Sequence, residues 1–210
     1  MSTFVLASEC YCQSCRKLFH LNNQRISTVI NMDIDGFEKT RFMNGTLNKI
    51  RCDKCNAEFT HETAMVVFSY KHKFAIYVNP HCEFDRCSGL KAPNGLFPAG
   101  FAFREVNYLV EAREKTNIFL SGLSEFAVEK FKYENFSNED ATPFDEYNLV
   151  FASHTDNEYI FEKYDYNDNL ITRYAFSDDI KLNKAHCKMS ASDLWMKINR
   201  LTINKLCKGD

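Results

Sequence analysis

At 210 residues, 45% hydrophobic and with 19 Phe, the chain is long enough for one large domain or two small ones with a buried core. A net charge of −2 and a pI near 6.3 lack the basic footprint of a nucleic-acid binder, and no apolar run nears the ~20 residues of a membrane span. The first residues lack the basic and long apolar regions of a signal peptide, so a cytoplasmic, reducing location is expected. There, nine Cys read as metal ligands and free thiols rather than disulfides.

The predicted fold class is α+β: a zinc-ribbon-like β module with an inserted helix, then a helical hairpin, a small antiparallel sheet and a C-terminal helix. Residues 1–80 are read as the zinc-ribbon-like module, 81–103 as a linker or loop, and 104–210 as the remainder. Charge divides similarly. Residues 1–80 hold 10 Lys/Arg against 7 Asp/Glu, and residues 81–210 hold 16 against 21.

Thr3–Ser8 predicts a short strand leading to Cys12-Gln-Ser-Cys15. Lys17–Leu21 and Arg25–Met32 alternate and predict a hairpin turned at Asn22-Asn23. Asp33 or Asp35 is placed to cap a helix over Gly36–Asn44, with Gly45 at its end. Ile50 leads into Cys52-Asp-Lys-Cys55, and Asn56 suits the left-handed turn that follows such a knuckle. Glu58–Tyr70 reads as a long β-prone run, Lys71-His72 as a turn and Phe74–Val78 as a strand.

Two Cys-x-x-Cys pairs make one tetrahedral Zn²⁺ site, because this spacing lets both sulfurs of a pair reach one ion from a tight turn. Cys12, Cys15, Cys52 and Cys55 are therefore the predicted ligands of one structural zinc. A redox pair needs only one such motif, opening a helix after a strand. Cys10 shares a strand face with Cys12 and reads as a spare thiol, with replacement of Cys12 as ligand the alternative.

Asn79–Ala102 holds three of the four Pro and three of the seven Gly and reads as a loop. His81, Cys82 and Cys87 in it are a candidate second metal site, with His72 as a further ligand; free thiols are the plainer reading. Arg104–Leu120 predicts a helix, and Ser124 caps a second one with Val128 and Phe131 inward. Glu129 and Lys132 are three apart and pair along it; with Glu111 they read as a surface or interhelical salt bridge sooner than as acid–base carboxylates. Tyr147–Ala152, Glu158–Tyr166 and Leu170–Phe176 predict three strands, the last two joined at Asn167-Asp-Asn169. A final helix runs to Cys207. From Leu194 to Leu206 its apolar residues cover more than half the circumference, which predicts contact with its own sheet and with a second chain or the helical hairpin.

The two knuckles with a short helix and Gly45 between them, the run Tyr70…Tyr77-Val78-Asn79-Pro80, and the segment Leu109-Val110-Glu111…Gly122-Leu123-Ser124-Glu125…Val128-Glu129…Lys132 together resemble the CpXC family over roughly residues 8–134. The resemblance implies a bacterial zinc-binding domain, and it carries no catalytic residues to transfer. Gln13 and Asp53 stand where the family pattern has Pro, which is not a ligand.

The expected function is a non-enzymatic, zinc-stabilised protein-interaction module that binds a protein partner or itself. The alternative is a nucleic-acid-binding zinc ribbon, supported by Arg16, Lys17, Lys49, Arg51, Lys54, Lys71 and Lys73 and opposed by the acidic whole. A metalloenzyme is the third reading, and it needs an open coordination position from the His/Cys set near residues 72–87. No Ser–His–Asp set, phosphate loop or His-x-x-x-His pair is present.

Overall fold

A computed structural model describes residues 3–80, 96–136, 149–155, 157–164 and 170–177, with Leu182 and Ile198. The described residues form an α+β fold with three helices and three sheets. None of these helices is long and apolar enough to cross a membrane.

The first sheet has the order β1-β2-β5-β6-β7, from Thr3–Tyr11, Leu18–Asn31, Met65–Ser69, Phe74–Val78 and Ala102–Val106. β1 and β2 are antiparallel, as are β5 and β6; β2–β5 and β6–β7 are parallel. The expected hairpin at Asn22-Asn23 does not form. β2 runs through those residues as one strand, and the pairing shifts from Ala7↔Gln24 to Glu9↔His20. Three residues of β2 thus face one of β1, a bulge in which Asn22 takes φ 46°. The left-handed conformation that Asn tolerates serves the bulge instead of a turn.

Helix α1, Phe37–Met43, starts at Gly36 with no side-chain cap. Asp35 pairs with Lys39 instead, and Asp33 turns to the β5–β6 connection. There its carboxylate accepts from the Ser69 hydroxyl and from the Tyr70 and Lys71 amides. The β-prone run 58–70 is two strands in two sheets: β4, Glu58–Thr60, pairs with β3, Lys49–Arg51, and β5 joins the large sheet.

The predicted helix from Arg104 is corrected: residues 102–106 are β7, and helix α2 is Leu109–Leu120. β6 offers an open edge after β5 pairs with its other side, and a parallel strand saturates it. Glu111 accepts from the Asn107 and Tyr108 amides, and Glu62 accepts from the Leu109 amide, so two carboxylates satisfy the start of α2. Helix α3, Glu125–Phe136, follows Gly122 (φ 66°), and the Ser124 hydroxyl accepts from the Ala127 amide. The strands β8 (Leu149–His154), β9 (Glu158–Tyr164) and β10 (Leu170–Ser177) form the predicted small antiparallel sheet, and its order is β10-β9-β8. The predicted turn at 167–169 and the C-terminal helix lie outside the described residues, although Ile198 is buried.

α2 is shared by two cores. Leu109 and Ala112 pack with Phe42, Ile76 and Val106 on the large sheet, whereas Ile118 packs with Val128, Phe131, Phe151 and Phe161 under the small one. A third cluster, Cys12, Phe19, Leu21, Ile26, Ile50 and Cys52, sits apart at the knuckles.

Candidate metal centre

Each knuckle is the tip of an antiparallel strand pair: Cys12–Cys15 between β1 and β2, Cys52–Cys55 between β3 and β4. The two repeat one backbone pattern. The Cys12 amide donates to the Lys17 carbonyl and the Arg16 amide to the Cys12 carbonyl. The Cys52 amide donates to the Ala57 carbonyl and the Asn56 amide to the Cys52 carbonyl. Arg16 (φ 55°) and Asn56 (φ 61°) close the turns in the left-handed region. Asn56 was legible as such a residue; Arg16, with no short polar side chain to help it, was not.

The four sulfurs all lie within 4.8 Å of one another. Cys12 Sγ is 3.5 Å from Cys55 Sγ, and Cys15 Sγ is 3.8 Å from Cys52 Sγ. Ligands at about 2.3 Å from a tetrahedral ion stand about 3.8 Å apart, so the donor set fits one such ion. The Cys15 amide donates to Cys12 Sγ and the Lys54 amide to Cys52 Sγ, and both bonds favour thiolate. The first Cys of each knuckle is buried, at 1% and 0% exposure, while Cys15 is half-buried and Cys55 exposed.

Four thiols this close cannot all ionise unaided. The Cys15 amide, chiefly, pulls Cys12 down to about 6. At Cys55 the Ala57 amide also acts downward, but the partial loss of water around its sulfur and the neighbouring sulfurs overcome it and push that thiol up to about 12. A cation among the sulfurs removes this mutual repulsion.

Cys10 is outside the four-sulfur group. Its Sγ lies 3.5 Å from His61 Nδ1. Burial, then the Cys12 and Cys52 charges, push its thiol up, and burial pulls His61 down, so the contact is between neutral groups. His81, Cys82 and Cys87 lie outside the described residues. His72 is exposed on the β5–β6 turn, and its amide donates to the Ser69 hydroxyl. Arg16, Lys17, Arg51 and Lys54 are exposed around the knuckles, with Lys54 paired to Asp53, whereas Lys71 and Lys73 sit on the β5–β6 turn.

Asn48, which no sequence motif marks, ties the second knuckle to the first. It is 2% exposed and takes φ 53°. Its side chain accepts from the Ser27 amide and donates to the Ser27 carbonyl, and its own carbonyl accepts from the His61 amide. The β3–β4 pair is thereby held against β2, which brings the four sulfurs together.

Glu129 and Lys132 do pair, at 3.1 Å, but as buried groups. They belong to an alternating line: Arg104–Glu125–Lys115–Glu129–Lys132–Glu114. Glu114 ends it by accepting from the Phe151 amide on β8. Glu111 lies at the start of α2 in its capping role, so Glu111 and Glu129 are not a carboxylate pair.

The CpXC protein family model matches residues 10–132, which span both knuckles, α2 and the part of α3 up to Lys132. The chain belongs to the CpXC family. No curated protein and no solved structure matches it. Within this CpXC chain the match covers the four-cysteine group and the buried charges up to Lys132, and it stops before β8.

Proposed function

We propose that the protein is a non-enzymatic interaction module built on a zinc-ribbon-like subdomain, in which Cys12, Cys15, Cys52 and Cys55 hold one structural Zn²⁺. The observation that carries this reading is the closed set of four sulfurs at tetrahedral spacing. Four thiolates complete the coordination of zinc and leave no position for water or substrate, which is the mark of a structural site. Beside the sulfurs, Phe19, Leu21, Ile26 and Ile50 make a small buried core with Cys12 and Cys52, and a small core needs such a staple.

A protein partner or a second copy is supported by β1. Among the described residues it is an edge of the large sheet, and consecutive Phe4, Val5 and Leu6 are 46%, 50% and 60% exposed. Open edges with apolar side chains accept a further strand.

Metal analysis of the purified protein tests the central claim. One tightly held zinc per chain, lost in Cys52→Ser, is the expected result. A second metal that can be removed without unfolding would overturn the non-enzymatic reading.

A further inference from the structure

A cleft of about 110 Å³ lies away from the sulfurs, where α1, the β3–β4 pair, the first turn of α2 and β9 meet. It has room for several waters or a group of that size. Phe42, Leu47, Leu109 and Val110 give it an apolar wall. Its charged lining is Lys49, Arg113 and Glu62.

Arg113 packs against Gly45, whose left-handed backbone (φ +67°) favours glycine and leaves the guanidinium room. The same guanidinium lies 5.3 Å from the centroid of the Tyr164 ring. It is half-buried, yet among the described residues it makes no hydrogen bond or ion pair, and Lys49 Nζ makes none either. Nearby carboxylates are already engaged. Glu62 accepts from the Leu109 amide, and Glu162 accepts from the Tyr164 hydroxyl and from Arg173, which together with the more distant Arg113 charge hold its carboxyl below the usual range against burial. Two cations against one carboxylate leave the lining one positive charge in excess. A monoanion neutralises it, whereas a phosphate dianion would overshoot beside Glu62.

We propose that this cleft binds a carboxylate on an apolar stem, with the Arg113 fork and Lys49 taking the carboxylate and the Phe42–Leu47–Leu109–Val110 wall taking the stem. A planar guanidinium fixed by packing is suited to bidentate carboxylate recognition. The ligand is the free C-terminus of a polypeptide ending in an apolar residue, or a small aliphatic acid. This site is independent of any role in the metal reading.

The test is titration of the metal-loaded full chain with N-acetyl-leucine and with 4-methylpentanoate, followed by amide chemical shifts. Saturable shifts at Gly45, Val110 and Arg113 are expected, with a dissociation constant of about millimolar for ligands this small. N-acetyl-leucinamide, which lacks the charge, should give none. Tighter binding of N-acetyl-leucine assigns the site to a chain terminus; tighter binding of 4-methylpentanoate assigns it to a free acid. Arg113→Gln should weaken binding at least tenfold at unchanged zinc content and melting temperature, with Arg113→Lys in between. Should Arg113→Gln not fold, Lys49→Gln must weaken binding at least threefold. No saturable shifts up to about 50 mM, equal binding of inorganic phosphate, or indifference to both substitutions would overturn the proposal. Zinc content measured on the same samples separates its failure from failure of the metal site.

Discussion

Asp33 shows how one side chain can hold a turn it does not belong to. Burial acts to raise its pKa, but the Ser69 hydroxyl and the Lys71 and Tyr70 amides outweigh it and hold the carboxyl below its usual range. All three bonds favour the ionised form. A depressed folded-state value means stability that is present above the ordinary pKa of about 3.9 and is lost as pH falls through the lower folded value. Asp33→Asn should therefore destabilise the protein at pH 7. The gap between variant and parent should close as pH falls below about 4. Urea midpoints of both proteins between pH 7 and pH 3 measure this; a gap that stays constant would mean that the charge on Asp33 is irrelevant to the turn.

Between elements, the line of six alternating charges is the main polar contact. It runs from β7 through α2 and α3 and ends on a β8 amide, so it joins the two sheets through the helices. Lys115 is 3% exposed and stands 2.5 Å from Glu129. Its ammonium stays charged: burial acts against the charge, and Glu129, Glu125 and Glu114 more than offset it. Removing one partner of a buried pair leaves an uncompensated charge, at a cost of about 3–5 kcal/mol. The exposed Lys130–Glu134 pair is a fit control, since such helix pairs contribute only about 0.3–0.5 kcal/mol. Lys115→Met should thus lower the urea midpoint strongly, and Lys130→Met barely. Equal effects would show that the buried line is relaxed by water.

For the whole molecule, α2 is the shared wall of two cores, and the sulfurs sit beside a third. Metal removal should accordingly be local. Chelation should expose the amides of Phe19, Ile26 and Ile50 to hydrogen exchange, while those of Ile118, Val128 and Phe161 stay protected. Because binding displaces protons from thiols as high as Cys55, metal affinity should fall as pH is lowered from 8 to 6. Uniform loss of protection across all three clusters would show instead that the ion supports the entire fold.

The sequence by itself determined the features that depend on neighbours in the chain. Cys-x-x-Cys spacing dictates which sulfurs can share an ion. The turn sequence Asn167-Asp-Asn169 separates the predicted strands Glu158–Tyr166 and Leu170–Phe176, which form at Glu158–Tyr164 and Leu170–Ser177, and Ser124 ahead of an apolar stripe dictates the start of α3. Tertiary structure decided whatever depends on a distant partner. Asn22-Asn23 suits both a turn and a bulge, and the length of β1 beside it selects the bulge. Val106, Leu109 and Val110 fit a helical stripe, but the open edge of β6 draws residues 102–106 into a strand and delays the helix to Leu109. The Glu129–Lys132 pair was legible from its spacing of three, but its burial was not, because Lys115 and Glu114, which complete the pairing from α2, lie 14 and 18 residues away; once α2 and α3 pack, that pairing lets the charges be buried. Asn48 follows the same rule, since Ser27, which it must satisfy, arrives only when the chain has folded, whereas Gly45 was legible because the left-handed end of α1 (φ 67°) needs it locally.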